Sequence, residues 1–139
     1  MMTKIFFDTN ILLYSVDTKD PKKQEQARRV TQLASKQENG VISTQVLQEY
    51  CSVDIKKFRR DFLTVKQLCR EWQSCFEVIL IRPGIIEDAI EVSGIYQFSF
   101  WDALIIAAAL AANCTYLMTE DMHHGQTIQG LTIINPFKE

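Results

Sequence analysis

The sequence lacks both the cysteine spacing of a zinc site and an apolar run long enough for a membrane helix. Its four cysteines form no Cys-x-x-Cys pair, so we expect reduced, mostly buried thiols rather than bound zinc at Cys51, Cys69, Cys75 and Cys114. The longest apolar run, residues 103–112, is about half the length that a membrane helix needs. It predicts a buried helix, and we expect no membrane association.

An excess of positive charge is also missing. The chain has 15 basic and 17 acidic residues and a formal net charge of −2, whereas nucleic-acid-binding domains are commonly basic. If four of the acids hold a metal ion, the balance becomes 15 against 17 − 4 = 13, or +2. Net charge therefore neither excludes nor supports a nucleic-acid substrate.

Internal repeats, low-complexity tracts and linkers are absent as well. A length of 139 residues, 47% of them hydrophobic and 23% charged, is typical of one folded domain over residues 1–139. Asp8 interrupts the N-terminal apolar residues too early for a signal peptide. We therefore expect a cytoplasmic protein.

Short β-branched or aromatic runs alternate with longer amphipathic segments. The runs predict strands at residues 4–7, 41–42, 76–81, 116–118 and 132–134. Capping residues and periodicity predict helices at residues 21–39, from 44 onward, and at 64–74, 83–96 and 100–113, with Gly40 ending the first. This alternation predicts an α/β fold with a mainly parallel sheet.

Four acids occupy positions where an isolated negative charge needs an explanation. Asp8 and Asp121 each follow a predicted strand, Glu49 lies in the helix after the second strand, and Asp102 begins the most apolar helix. In open parallel sheets, ligands bind beyond the carboxyl ends of the strands. Converging carboxylates would repel one another, and a hard divalent cation with oxygen ligands removes that repulsion.

Each acid also has an ordinary structural interpretation. Asp8 could cap a short helix, and Asp102 could complete a capping box with Ser99. Glu49 could be a solvated helix residue and Asp121 a turn residue. Spacing alone leaves the structural and functional interpretations about equally supported.

The order of the motifs resembles PIN-domain proteins, and among them the toxin ribonucleases of VapBC-type toxin–antitoxin pairs. The matching segments span nearly the whole chain: KIFFDTNIL (4–12), STQVLQE (43–49), FSFWDALI (98–105), residues 117–125 around TED (119–121), and residues 131–137. The resemblance implies a three-layer α/β/α domain. It also implies an endoribonuclease that uses Mg²⁺ or Mn²⁺, a homodimer, and a cognate antitoxin that covers the site.

The same resemblance assigns the metal-binding and catalytic acids to Asp8, Glu49, Asp102 and Asp121. It gives Asn10 and Thr119 supporting roles beside them. Glu120 is a neighbouring acid that could assist, but adjacent residues after a strand point apart, which favours Asp121.

Two further groups of residues could contact RNA or could have ordinary structural roles. The first is a basic run that could bind RNA phosphates or form a solvated face. It comprises Lys56, Lys57, Arg59 and Arg60. Phe100 and Trp101 could stack on a base, but aromatic burial favours the core.

A non-catalytic PIN-like module that binds RNA or a partner is the main alternative, and loss of one of the four acids would have favoured it. A receiver-like domain is disfavoured by the single acid after the first strand and by Asn135-Pro136-Phe137 after the last. Aspartyl phosphatase chemistry is disfavoured because Asn10 stands where a second acid is needed.

Overall fold

One six-stranded sheet organises residues 3–138, the part of the chain that the computed structural model describes. Its strands in spatial order are β3 (Glu77–Ile79), β2 (Gly40–Ser43), β1 (Ile5–Phe7), β4 (Tyr116–Met118), β6 (Leu131–Ile134) and β5 (Thr127–Ile128). Every neighbouring pair is parallel except β5 with β6. The predicted α/β fold with a mainly parallel sheet is therefore confirmed.

The direction of the chain reverses at the central strand β1. From β1 the chain runs outward through β2 to β3, and it then returns to β4 on the other side of β1. Connections that leave the carboxyl ends of β1 and β4 therefore turn in opposite directions. Such a reversal opens a crevice beyond the strand ends, where α/β proteins bind ligands.

Six helices connect these strands: α1 (Thr9–Val16), α2 (Pro21–Gln37), α3 (Thr44–Lys56), α4 (Phe62–Cys75), α5 (Pro83–Tyr96) and α6 (Phe100–Ala111). Parallel crossovers are almost always right-handed, which puts α1–α4 on one face of the sheet and α5 and α6 on the other. The contacts agree, since α1 packs on α2 and α3, α3 packs on α4, and α5 packs on α6. The result is a three-layer sandwich.

Burial explains why the central elements are apolar throughout. Phe6 and Phe7 point to opposite faces of β1 and both are fully buried, as expected for a parallel strand covered by helices on both sides. Helix α6 buries its residues 103–109 without interruption. Between residues 3 and 138, no single helix is long and apolar enough to cross a bilayer, and only α5 with α6 reaches that length, as a pair bent by 116°.

The end of α2 differs from the sequence prediction. The helix stops at Glu38, which adopts a left-handed conformation with φ of 56° and donates its N–H to Ala34 and Ser35. Gly40, predicted to end the helix, instead begins β2. A Cβ there would lie 2.2 Å from Cδ1 of Phe76, so Gly40 is needed for close packing and not for helix termination.

The local sequence pattern does not predict two short elements and one exposed side chain. It predicts α1 only as a short segment that Asp8 could cap, and it does not predict β5. The expectation that Phe100 and Trp101 pack in the core is wrong for Trp101, whose surface is 62% exposed. All four cysteines are free thiols, but the expectation that most of them are buried is wrong, since only Cys114 is.

Candidate metal centre at the carboxyl edge of the sheet

Asp8 lies at the carboxyl end of β1 and is held in a single orientation. It is the N-cap of α1, and its backbone N–H donates to the Met118 carbonyl of β4 at 3.0 Å. Its Oδ1 accepts the Thr9 N–H at 2.7 Å, and its Oδ2 accepts the Thr119 hydroxyl at 2.8 Å. The carboxylate is therefore fixed at the reversal point of the sheet.

The environment of Asp8 disfavours its negative charge. The side chain is only 6% exposed, and this burial raises the pKa of Asp8 from 3.8 to about 6. Hydrogen bonds from Thr119 and Thr9 lower that pKa, while the charges of Glu49 and Asp121 raise it further. Those last two effects show that three of the predicted acids act on one another electrostatically.

Glu49 reaches the same place from the second turn of α3. Its Oε1 accepts the Thr9 hydroxyl at 2.7 Å, so Thr9 bonds to Asp8 through its N–H and to Glu49 through its side chain. Gln45, one helical turn before Glu49, donates its amide to Oε2 of Glu49 at 3.4 Å. Glu49 is thus tied to Asp8 through one threonine.

Asp121 joins the site from the loop after β4. Asn10 donates its Nδ2 to Oδ2 of Asp121 at 2.9 Å, and also contacts Oδ2 of Asp8 at 3.4 Å. Thr119 is fully buried, and its Oγ1 accepts the Asp121 N–H at 3.1 Å while donating to Asp8. Asn10 and Thr119 therefore connect the acids that follow β1 and β4.

Asp102 approaches from the opposite layer, in the first turn of α6. Ser99 caps this helix by accepting the Asp102 N–H at 3.2 Å. Burial raises the pKa of Asp102, a hydrogen bond with Ser99 lowers it, and the charges of Asp121 and Glu49 raise it. The charges of Glu49 and Asp121 therefore act on Asp102 as well as on Asp8.

Glu120 does not share this arrangement. Its carboxylate forms an ion pair with Lys23 and accepts the Tyr14 hydroxyl at 2.7 Å, while its backbone N–H donates to Oδ1 of Asn10 at 3.3 Å. Lys23 also lies 4.8 Å from the centre of the Tyr14 ring. The side chain of Glu120 has its own counter-ion, and only its backbone supports the acid cluster.

The donors of this cluster fit a hard divalent cation. All four are carboxylates, and oxygen donors suit Mg²⁺ or Mn²⁺. Within residues 3–138, no three acidic, histidine or cysteine side chains lie close enough together to hold a metal ion among them. Mg²⁺ does not need three such side chains, because it keeps several waters and binds proteins through one or two carboxylates together with phosphate oxygens of the substrate.

The predicted basic residues have unequal environments. Lys56, Lys57 and Arg59 are exposed near the end of α3. Arg60 instead donates its Nε to the buried Asp54 at 2.6 Å and its Nη2 to the Val16 carbonyl at 2.6 Å. Arg60 therefore has a structural role, which corrects its grouping with three solvated cations.

Sequence reasoning missed several residues that hold the acids in place. Thr9 and Gln45 could have been found, because one adjoins Asp8 and the other precedes Glu49 by one helical turn. Tyr14 and Lys23 carry no local signal, since Lys23 meets Glu120 from 97 positions away.

The arrangement matches one known family and several solved structures. A family profile for the PIN domain matches residues 5–127. The chain is similar to a toxin–antitoxin complex from Klebsiella pneumoniae, with 25% identity and a TM-score of 0.70, over 98% of this chain and 100% of that one. It is also similar to VapC20 of Mycobacterium tuberculosis, a sarcin–ricin loop cleaving toxin, with 19% identity and a TM-score of 0.66, over 82% of this chain and 87% of that one.

A third similar structure is DNA-bound VapBC from Salmonella typhimurium, with 18% identity and a TM-score of 0.70, over 95% of this chain and 97% of that one. No match to a curated protein was found. The profile match spans most of the sheet and all four predicted acids, so the resemblance noted in the sequence is confirmed. The chain belongs to the PIN-domain family.

Proposed function

We propose that this protein is a divalent-metal-dependent endoribonuclease and the toxin component of a type II toxin–antitoxin pair. The observation that supports the proposal is the set of hydrogen bonds from Thr9, Asn10 and Thr119 that links Asp8 with Glu49 and Asp121 beyond the strand ends. Asp8 and Asp102 both have raised pKa values, and the charges of Glu49 and Asp121 contribute to both. A cluster of acids that disfavours its own ionisation is suited to a cation.

The four acids share one task in this proposal. The four carboxylates hold the cation, and the hydrogen bonds of Thr9, Asn10 and Thr119 keep three of them oriented. When bound, a divalent cation activates water and stabilises the leaving oxygen of a phosphodiester. Any of the four acids could accept the proton of the attacking water. We expect products with 5′-phosphate and 3′-hydroxyl ends.

Basic residues outside the acid cluster would bind the rest of the RNA. Lys56, Lys57 and Arg59 are exposed and could contact phosphates. Their contribution would be electrostatic and independent of sequence, so it would weaken as salt concentration rises. Arg60 is not available for this role, because it bonds Asp54.

An antitoxin partner agrees with the same electrostatics. An exposed acidic pocket attracts an arginine of an inhibitor, whose guanidinium pairs well with carboxylates. Two of the similar structures are described as toxin–antitoxin assemblies. We therefore expect a cognate antitoxin that covers the acids, a homodimeric toxin, and activity in the cytoplasm.

Metal-dependent cleavage of a panel of structured RNAs tests the proposal. The wild type should cleave in Mg²⁺ and lose activity in chelator, and Asp8→Asn and Asp102→Asn should each lose about 100-fold or more. Asp61→Asn is a matched control, because Asp61 caps α4 as Asp8 caps α1 but stands outside the acid cluster. It should cleave like the wild type.

Two results would contradict the proposal at different levels. Equal cleavage by wild type, Asp8→Asn and Asp102→Asn in Mg²⁺ would remove the mechanism, and RNA binding without cleavage would favour the non-catalytic module. Expression of the wild type should slow bacterial growth unless its antitoxin is co-expressed. Normal growth would refute the toxin role and leave the nuclease role standing.

A further inference from the structure

Trp101 is exposed beside the acid cluster. It is 62% exposed and directly precedes Asp102, although it lies in the first turn of α6, which is otherwise the most buried of the six helices. Its indole contacts the ring of Phe100 edge to face, with centroids 5.2 Å apart. Most of a large aromatic side chain therefore remains accessible next to a residue that we place at the metal site.

Gln45 fixes the backbone of Trp101 relative to Glu49. Its Nε2 donates to the Trp101 carbonyl at 3.2 Å and to Oε2 of Glu49 at 3.4 Å. Both neighbours are acceptors, so the amide nitrogen must face them and the oxygen must point elsewhere. Gln45 is 5% exposed, and its Oε1 has no hydrogen-bond partner within residues 3–138.

A hollow of about 350 Å³ is lined by Gln45, Gln48, Glu49 and Trp101. It combines an aromatic face, two side-chain amides and a carboxylate of the proposed metal site. A buried acceptor without a partner is uncommon and points to a missing donor. The lining suits a flat ligand that stacks and also presents N–H groups at its edge.

We propose that this hollow is a nucleobase subsite, in which Trp101 stacks on an unpaired base of the RNA and the exposed amide of Gln48 binds the edge of that base. This inference rests on the proposed ribonuclease function. Proteins that recognise single-stranded RNA stack its bases on aromatic rings and hydrogen-bond their edges. The subsite would place the base beside Glu49 and Asp102, so it would hold a nucleotide next to the scissile phosphate.

The subsite favours loops and single strands over duplexes. A paired base has both faces covered by its neighbours in the stack and its edge bound to another base, so it offers nothing to Trp101 or Gln48. The lining combines an aromatic ring with amide and carboxylate groups, which matches the flat ring and polar edge of a base better than a wholly apolar protein surface. A second copy of the chain covering Trp101 is the competing occupant, and the experiment separates the two.

Binding of short single-stranded adenosine and uridine oligoribonucleotides tests the subsite. Asp8→Asn serves as the background, so that the RNA stays intact, and a fully abasic oligoribonucleotide of the same length serves as the ligand without bases. Trp101→Ala should weaken binding of the base-bearing RNA by about 5- to 150-fold, the stacking contribution of one base. Trp101→Phe should weaken it less, and neither should change binding of the abasic RNA.

Phe62→Ala is the matched control, because Phe62 is an exposed aromatic ring, 74% accessible, at the start of α4 and does not line the hollow. It should bind every RNA as the background protein does. Equal affinity of Trp101→Ala and the background for base-bearing RNA would overturn the subsite, as would an equal loss for abasic RNA. A change of oligomeric state in Trp101→Ala that accounts for its loss of binding would instead assign Trp101 to an interface between copies.

Cleavage assays keep this inference separate from the proposed function. If the wild type cleaves RNA and Trp101→Ala cleaves it with unchanged KM, only the subsite fails. If the wild type never cleaves in Mg²⁺, the nuclease proposal fails. Binding to base-bearing RNA would then still report whether Trp101 stacks.

Discussion

Two buried carboxylates, Asp8 and Asp54, have opposite surroundings. Asp54 is fully buried and is neutralised within the protein, by Arg60 at 2.6 Å and the Tyr50 hydroxyl at 2.9 Å. Asp8 is 6% exposed and bonds only neutral donors in the described part of the chain, while Glu49 and Asp121 add negative charge nearby. A buried acid with a built-in cation is structural, whereas one surrounded by other acids requires a cation from outside.

Removing Arg60, the cation that pairs with Asp54, should destabilise the protein. Arg60→Met should lower the free energy of unfolding by about 2–4 kcal/mol, because it leaves a fully buried carboxylate without a counter-ion. Urea denaturation measures the loss. Arg59→Met changes a neighbouring exposed arginine and should shift the free energy by no more than about 0.5 kcal/mol. Equal stabilities of the two variants would show that the Asp54 pair contributes nothing.

Removing the charge of Asp8 should have the opposite effect and stabilise the protein. Burial raises the pKa of Asp8 to about 6 in the folded protein. The contribution of this carboxyl to the free energy of unfolding is therefore fully present below its pKa in the unfolded chain, and it is lost as the pH rises through about 6. In chelator near pH 7.5, Asp8→Asn should therefore be more stable than the wild type by about 1–2 kcal/mol. Urea denaturation across this pH range should show a weaker pH dependence in the variant.

Asp61→Asn is the control for the expected gain in stability of Asp8→Asn. Asp61 is an exposed cap, and the backbone and side chain of Thr64 hold the pKa of its carboxyl below the usual range. Replacing it should bring no gain in stability. A destabilised Asp8→Asn protein in chelator would mean that the hydrogen bonds of Asp8 outweigh its unfavourable charge.

Glu120 sharpens the comparison, because it is adjacent to Asp121 but resembles Asp54 in having its own cation. Its ion pair with Lys23 and its bond from Tyr14 hold the carboxylate outside the acid cluster. Glu120→Gln should change the rate of RNA cleavage by no more than about twofold, since partly exposed pairs contribute little. A loss as large as that of Asp121→Asn would place Glu120 in the metal site.

Prediction from sequence worked where a residue's position follows from the end of an element. Asp8 and Asp121 were expected beyond the ends of β1 and β4, and these strands are neighbours at the reversal of the sheet. The alternation of strands and helices along the sequence predicts the fold class. The pairing of β1 with β4 then brings Asp8 and Asp121 to the same edge of the sheet. The family resemblance supplied the choice among several acids, which spacing alone left open.

Prediction failed where the outcome depends on distant packing. Nothing near Glu38 shows that it, and not Gly40, ends α2, because the reason lies in the ring of Phe76 over Gly40. Trp101 belongs to an apolar sequence, yet it lies in the first turn of its helix and stays exposed. Burial of a single side chain depends on what packs across from it, and local pattern does not contain that information.

The central claim is that four carboxylates, distant in the chain, bind one divalent cation centre. Titration of the protein with paramagnetic Mn²⁺, followed by amide NMR, locates that centre directly. The account predicts selective broadening of signals around Asp8, Glu49, Asp102 and Asp121, and its loss in Asp8→Asn. Broadening elsewhere on the molecule, or none at Mn²⁺ concentrations that should saturate a site, would contradict it.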